Sequence, residues 1–416
     1  MERPATAAHP IKSSRKWPTR QMNTLQKKQR HALGLIGISF VAFISLGLPD
    51  GLLGVAWPGI RHHFNLPVDA LGIALVFGTG GYMLSSFLSG MLIRSLGIGG
   101  LLSLSCAATA GALFVYATSP AWWLFVMFAA VGGLGAGAID AGINTFVARH
   151  HSTRMMQWLH ASFGVGITLG PIIMTVGISV TSRWQVGYFC VSIAQSLLAV
   201  IFFATKGMWK GVTVSSEEVR HADSEASLGE TMRKIPALLS MVMFFLYTGV
   251  ELGLGLWAYS LLTESRGVAP QVAGIITGSY WAMFTLGRIL AGWYTRKIDV
   301  RKLIYLSVLL ASFGGGLIVI NAGQLATILG IAVTGFAIAP IFPGLVSDTG
   351  NRVGSRHQAN TIGMQIAAAG FGAAVVPSIA GVFAGMYGLE AIPFYLLMAL
   401  MLLFLSFMFS HAHSKN

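Results

Sequence analysis

The sequence predicts an all-α membrane protein, with twelve transmembrane helices in two pseudo-symmetric six-helix bundles. Three observations predict it. Of 416 residues, 54% are hydrophobic and only 10% are charged, where a soluble domain carries about 25% charged residues. Apolar runs long enough to cross a bilayer recur twelve times. The lysines and arginines fall in the polar breaks, and overwhelmingly in every second one.

A helix needs about 20 apolar residues to cross the hydrocarbon core. The runs lie at about 32–60, 70–93, 98–118, 121–148, 158–180, 186–205, 235–263, 270–295, 302–321, 324–348, 358–385 and 391–411. They are too long for membrane strands and lack period-two alternation. This divides the chain into a basic N-terminal tail (1–31), a first bundle (32–205), a central loop (206–234), a second bundle (235–411) and a C-terminal tail (412–416). The apolar run that follows the first tail is too long for a signal peptide. The tail itself reads as a disordered segment facing lipid headgroups.

With the N-terminus inside, 23 of the 27 basic residues fall on the inner side, and only Arg61, Arg183 and Arg266 on the outer. Both termini are therefore expected in the cytoplasm. The formal net charge of +13 reports topology and contact with anionic membrane lipids, not nucleic acid.

The halves repeat. Gly90-Met-Leu-Ile-Arg94 closes the second span and Gly292-Trp-Tyr-Thr-Arg296 the eighth, 202 residues apart; Gly164-Val-Gly166 with Pro171 recurs as Gly370-Phe-Gly372 with Pro377, 206 apart. Two six-span halves joined by a long inner loop place a site between them, near the midplane.

Most of the 14 acidic residues fall in loops or at helix ends; three do not: Asp50, Asp140 and Glu251. At about 1.5 Å rise per residue, Asp50 lies roughly 15 Å from the outer end of its span, and Asp140 roughly 14 Å from the inner end of its own. Arg288 lies at similar depth, about 12 Å from the boundary at Arg296. A charge at the bilayer centre costs roughly 3 kcal/mol on the gentlest scale, so such a residue is a functional candidate. The proton-coupling set is Asp140, Asp50 and Glu251, because a desolvated carboxylate can load and release a proton near pH 7. A buried ion-pair network that fixes helix packing is the alternative, and it hinges on whether Arg288 pairs with one of the acids.

Asp140 sits in Gly132-Gly-Leu-Gly-Ala-Gly-Ala-Ile-Asp140-Ala-Gly-Ile-Asn144. Asn144 is one turn on, on the same helix face, and the glycines let a neighbouring helix come close. Asn144, Gln365, Trp257, Trp281, Tyr280 and His160 form the candidate substrate-binding set: amides offer directional hydrogen bonds, and aromatic faces stack on apolar sugar faces. Packing roles stand beside this reading for the aromatics, and a satisfied core histidine for His160. Pro49 and Pro340-Ile-Phe-Pro343 are candidate helix breaks.

Cys106 and Cys190 read as buried free thiols. There is no phosphate-binding loop, no HExxH, no CxxC and no nucleophile elbow, so neither an enzyme nor a cofactor is expected.

These residues resemble the major facilitator superfamily. Its inner-loop motif Gly-x-x-x-Asp-Arg-x-Gly appears as Gly90-Met-Leu-Ile93-Arg94-Ser-Leu-Gly97, with Ile93 in place of the aspartate. Gly47-Leu-Pro-Asp50-Gly-Leu-Leu-Gly54, Asp140 to Asn144, Leu159 to Gly166, Phe245 to Glu251 and Gly335 to Pro343 are similar to the fucose permease and glucose–proton symporter branch. Arg94 and Arg296, which end the two Gly-x-x-x-Arg pairs, and Arg288 are the candidate gating residues. The resemblance implies sugar binding and proton coupling at Asp50 and Asp140. The expected protein is a monomeric symporter of the bacterial inner membrane, importing a monosaccharide with a proton. A proton-antiport exporter of drugs or metabolites is the alternative.

Overall fold

The computed structural model describes residues 19–150, 153–209, 226–294 and 298–413. Arg296, expected to act in gating, lies outside them, as do residues 1–18 and 210–225. The chain forms two compact units, Met1–Ile38 and Ser39–Asn416. In the first, α1 (Thr19–His63) is already helical at Thr19, well ahead of the apolar run. Everything below concerns the second.

The apolar runs fold as helices because lipid offers no partner to a free N–H or C=O, and a helix satisfies both within one segment. After α1 come α2 (Leu71–Thr118), α3 (Trp122–His150), α4 (Thr153–Thr181) and α5 (Gln185–Thr205). A short α6 (Leu228–Met232) follows. The second half comprises α7 (Ile235–Ser260), α8 (Pro270–Tyr294), α9 (Val300–Ile320), α10 (Gln324–Ile338), α11 (Ile341–Ser347), α12 (Thr349–Val353), α13 (Ser355–Tyr387) and α14 (Ala391–His413). Ten described stretches are long and apolar enough to cross a membrane. One of them, Val68–Thr118, spans twice, because Gly97 (φ 69°) folds α2 into two legs. That backbone conformation is one only glycine adopts without strain. The 25-residue α8 supplies the twelfth span.

The prolines behave differently from one another. Pro340 separates α10 from α11, as expected. Pro49 lies inside an unbroken α1. Proline has no N–H for the carbonyl four residues back, and that carbonyl, Ser45 O, instead accepts from Gln195 Nε2 at 3.2 Å.

Glycines set the helix spacing, and they do so at matching places in both halves. A Cβ on Gly166 of α4 would stand 1.9 Å from Ile44 O of α1; one on Gly372 of α13 would stand 2.0 Å from Phe245 O of α7. In the first half, Gly133 and Gly137 of α3 press on the carbonyls of Gly78 and Tyr82 of α2 in the same way.

The halves touch along three seams. Gly54 of α1 packs on Gly255 and Leu256 of α7; Gly72 of α2 on Ser378 of α13; and Gly164 of α4 on Thr285 of α8. The first two lie between the level of the acids and the end of the molecule that carries Arg61 and Glu264, here termed the distal face; the third lies near the level of Gly47, which packs on α4 at Phe163 and Ile167. At the opposite, tail face, which carries α6 and α12, α3 packs on α2 and α4 but makes no substantial contact with α10, α11 or α13. The interior is therefore closed distally and open toward the tail face.

Cys106 is buried as expected, but Cys190 is exposed on the apolar outer surface of α5.

Candidate functional site

Two polar clusters face each other at mid-depth, one from each half. In the first, the Tyr82 hydroxyl of α2 donates to Asp140 Oδ2 at 2.7 Å. Asn144 Nδ2 donates to Asp140 Oδ1 at 2.9 Å, across one helical turn. Both carboxylate oxygens are thus held by neutral donors, and no cation among the described residues is within salt-bridge distance. The Asn144 Oδ1 atom is enclosed and accepts from no described group. His160 of α4 lies within electrostatic range of Asp140 and of Arg288. It is exposed to the interior, and its ring meets Phe43 edge-on at 5.7 Å.

In the second cluster, Arg288 Nη2 of α8 approaches Glu251 Oε1 of α7 at 3.7 Å. The guanidinium also lies over the Phe284 ring, 4.3 Å from its centroid. The buried Tyr247 hydroxyl sits close enough to feel both charges, yet makes no aligned hydrogen bond. So Arg288 does pair with an acid, and that acid is Glu251.

Asp50 stands between the clusters, within electrostatic range of Glu251. It is exposed although its helix is at mid-depth and protein surrounds it. Such exposure marks the floor of the cavity that opens to the tail face. Asp50 and Glu251 are equivalent across the two halves. Each lies four residues before the glycine at which α1 and α7 cross, Gly54 and Gly255.

The structure therefore brings Asp50, Asp140, Asn144, His160, Glu251 and Arg288 together. The other expected substrate contacts are enclosed by protein, each for a physical reason. Trp257 donates its indole N–H to Pro377 O at 3.0 Å. The Tyr280 hydroxyl donates to the Glu251 backbone carbonyl at 2.7 Å. Trp281 fills the space over Gly255. Gln365 exchanges hydrogen bonds with Thr349 at 2.9 and 3.2 Å, and is fully buried. In this conformation the four hold helices together behind the cavity instead of lining it. Arg94 is exposed at the tail-side end of the first leg of α2, beside the buried Ile93, and pairs with no acid among the described residues.

Sequence reasoning missed Tyr82 and Tyr247. The polar run around Tyr82, with Ser85 and Ser86 one turn on, was the available signal. Arg352, one of the 23 inner basic residues, is buried against Asp348 (3.3 Å) and Ser240 (2.8 Å).

Twelve spans with acids of both halves facing each other at mid-depth define a multi-pass membrane protein. The chain belongs to the major facilitator superfamily: the sequence profile described as Major Facilitator Superfamily matches residues 38–261 and 239–415. Among curated relatives, the glucose/mannose transporter GlcP of Bacillus subtilis is 23% identical, over 83% of this chain and 86% of its own. Among solved structures, the nucleoside transporter NupG aligns with a TM-score of 0.75 at 12% identity, over 90% of this chain and 98% of its own. The Escherichia coli fucose:proton symporter FucP aligns with a TM-score of 0.59 at 14% identity, over 90% and 98%.

Proposed function

We propose that the protein is a proton-coupled symporter that imports a monosaccharide by alternating access, with its tail face in the cytoplasm of a bacterium and its distal face outside. The observation that carries this reading is Asp140. It is a carboxylate at mid-membrane, held on both oxygens by neutral donors, beside a cavity that opens to one face only. A carboxylate satisfied by a hydroxyl and an amide, not by a permanent cation, can take up and release a proton without breaking an ion pair. Glu251 is different, since Arg288 already balances it. We assign Asp140 as the main proton carrier, with Asp50 as the second acid and Glu251 in a supporting role. Asn144 and His160 are the proposed sugar contacts, as the polar side chains beside it. The sugar names of relatives such as the glucose/mannose transporter of Bacillus subtilis support the substrate class.

The test is uptake of a monosaccharide panel into vesicles under an inward proton gradient. Accumulation of one sugar, abolished by a protonophore, is expected. Asp140→Asn should lose accumulation but keep sugar exchange. Export of a dye without uptake of any sugar would establish the antiport alternative instead.

A further inference from the structure

We propose that Tyr82 is a positioning residue for proton release: its hydroxyl holds Asp140 as the anion while the cavity is open to the tail face. This rests on the reading of Asp140 as the proton carrier.

Two independent features meet at this hydroxyl. The first is the bond itself, 2.7 Å to Oδ2, with Asn144 occupying the other oxygen at 2.9 Å. The amide N–H can only donate, and a phenol hydroxyl, which can also accept, is the better donor, so together the two favour the carboxylate over the protonated acid. The second is the glycine step beneath it. A Cβ on Gly137 would stand 2.3 Å from the Tyr82 carbonyl, and one on Gly133 would stand 1.9 Å from the Gly78 carbonyl. The missing Cβ atoms let α3 lie against the α2 backbone, which brings the Asp140 carboxylate within reach of a side chain rooted on α2. The glycine run before Asp140 thus acts as a spacer for this bond.

On release, the Asp140 O–H bond breaks and both electrons stay on the carboxylate. The proton passes to cavity water on the tail side, where the exposed His160 ring stands within electrostatic range. Tyr82 and Asn144 then close on the two oxygens. For a new proton to load, Tyr82 has to stop donating to Oδ2, either by turning its hydroxyl to accept or by moving away with α2.

The experiment needs no ligand. In the purified full chain, the infrared carbonyl band of protonated Asp140 is identified as the band that Asp140→Asn removes, and is followed across about pH 4 to pH 9. Tyr82→Phe keeps the ring and removes the donor. The band should then persist to about one pH unit more alkaline, a tenfold change in proton binding. Gly137→Ala, which forces α3 away from Tyr82 without touching the hydroxyl, should displace it in the same direction, and serves if Tyr82→Phe does not fold. A band that titrates in these variants where it does in the wild type overturns the role of Tyr82. A wild-type band that never titrates overturns the proton-carrier reading itself, and the role of Tyr82 with it.

Discussion

Arg61, in the last turn of α1, reaches Glu264, on the π-helical turn Leu261–Ser265 that follows α7, with 2.9 and 3.0 Å between the guanidinium and the two carboxylate oxygens. His62 adds a contact at 3.4 Å. The pair joins the two halves at the distal face, directly beyond the Gly54–Gly255 crossing. Glu264 lies within this turn, in which the helix widens from the α to the π repeat. Opening the distal face has to break this pair.

Removing it should therefore shift the molecule toward the distal-open state. Ion pairs at this level of exposure, 20% and 19% for the two side chains, contribute up to about 1 kcal/mol, so Glu264→Gln should raise distal access roughly fivefold. The labelling rate of a cysteine placed on the distal pathway measures it. The exchange Arg61→Glu with Glu264→Arg should restore the slow rate; equal labelling in all three proteins would mean the pair does not hold the face shut.

The glycine seams make a sharper prediction, because backbone carbonyls cannot move aside as a flexible side chain does. Gly166→Ala and Gly372→Ala each drive a methyl to within 1.9 and 2.0 Å of a carbonyl oxygen. Overpacking of this kind costs about 1–3 kcal/mol. Gly363→Ala, which meets no heavy atom within 4 Å, should leave the detergent-solubilised unfolding midpoint unchanged or slightly raised.

The Glu251–Arg288 pair predicts non-additivity. The side chains are 12% and 29% exposed, so a lone charge left by a single substitution is poorly hydrated. Stripping one partner from a fully buried pair costs about 3–5 kcal/mol; with water reaching Arg288, about 1–3 kcal/mol is expected for Glu251→Gln or Arg288→Gln alone. The double substitution should recover more than half of the combined loss. Strictly additive losses would show that the two charges do not sense each other.

How much of this was legible beforehand depends on what kind of signal each feature leaves. Span number and repeat came through, because hydrophobic length and glycine spacing are local properties. The repeat of Gly164-Val-Gly166 in Gly370-Phe-Gly372 marks the two places where α4 meets α1 and α13 meets α7. The costly acids were legible for the same reason. Burial of neutral side chains was not: whether Trp281 lines a cavity or fills the space above Gly255 is decided by which helix stands opposite, and spacing along one helix carries no such information. The partners of an acid were hidden in the same way, since Tyr82 is 58 residues from Asp140, Glu264 is 203 from Arg61, and no local pattern joins them. Pro49 misled because its freed carbonyl finds Gln195, 150 residues on.

The last prediction concerns pH at the distal face. The Arg266 guanidinium donates to Glu390 from Nε at 2.9 Å and from Nη2 at 2.7 Å, and Ser265 adds a hydroxyl at 2.8 Å. The Arg266 hydrogen bonds hold the Glu390 carboxyl below its ordinary value of 4.5. A carboxyl lowered on folding contributes stability above its unfolded value, and that contribution is lost as pH falls through the lower folded value. Glu390→Gln should therefore unfold at a lower temperature than the wild type near neutral pH, with the gap closing below about pH 4.5. Glu390 is 45% exposed, so the gap should stay under about 1 kcal/mol. Arg266 also binds Thr327 Oγ1 at 2.7 Å and Ile318 O at 2.8 Å, so it remains in place when Glu390 is neutralised and the loss is confined to the one pair. Thermal midpoints of both proteins from acid to neutral pH provide the check: a gap that does not change with pH would show that the carboxylate charge on Glu390 contributes nothing to holding this end together.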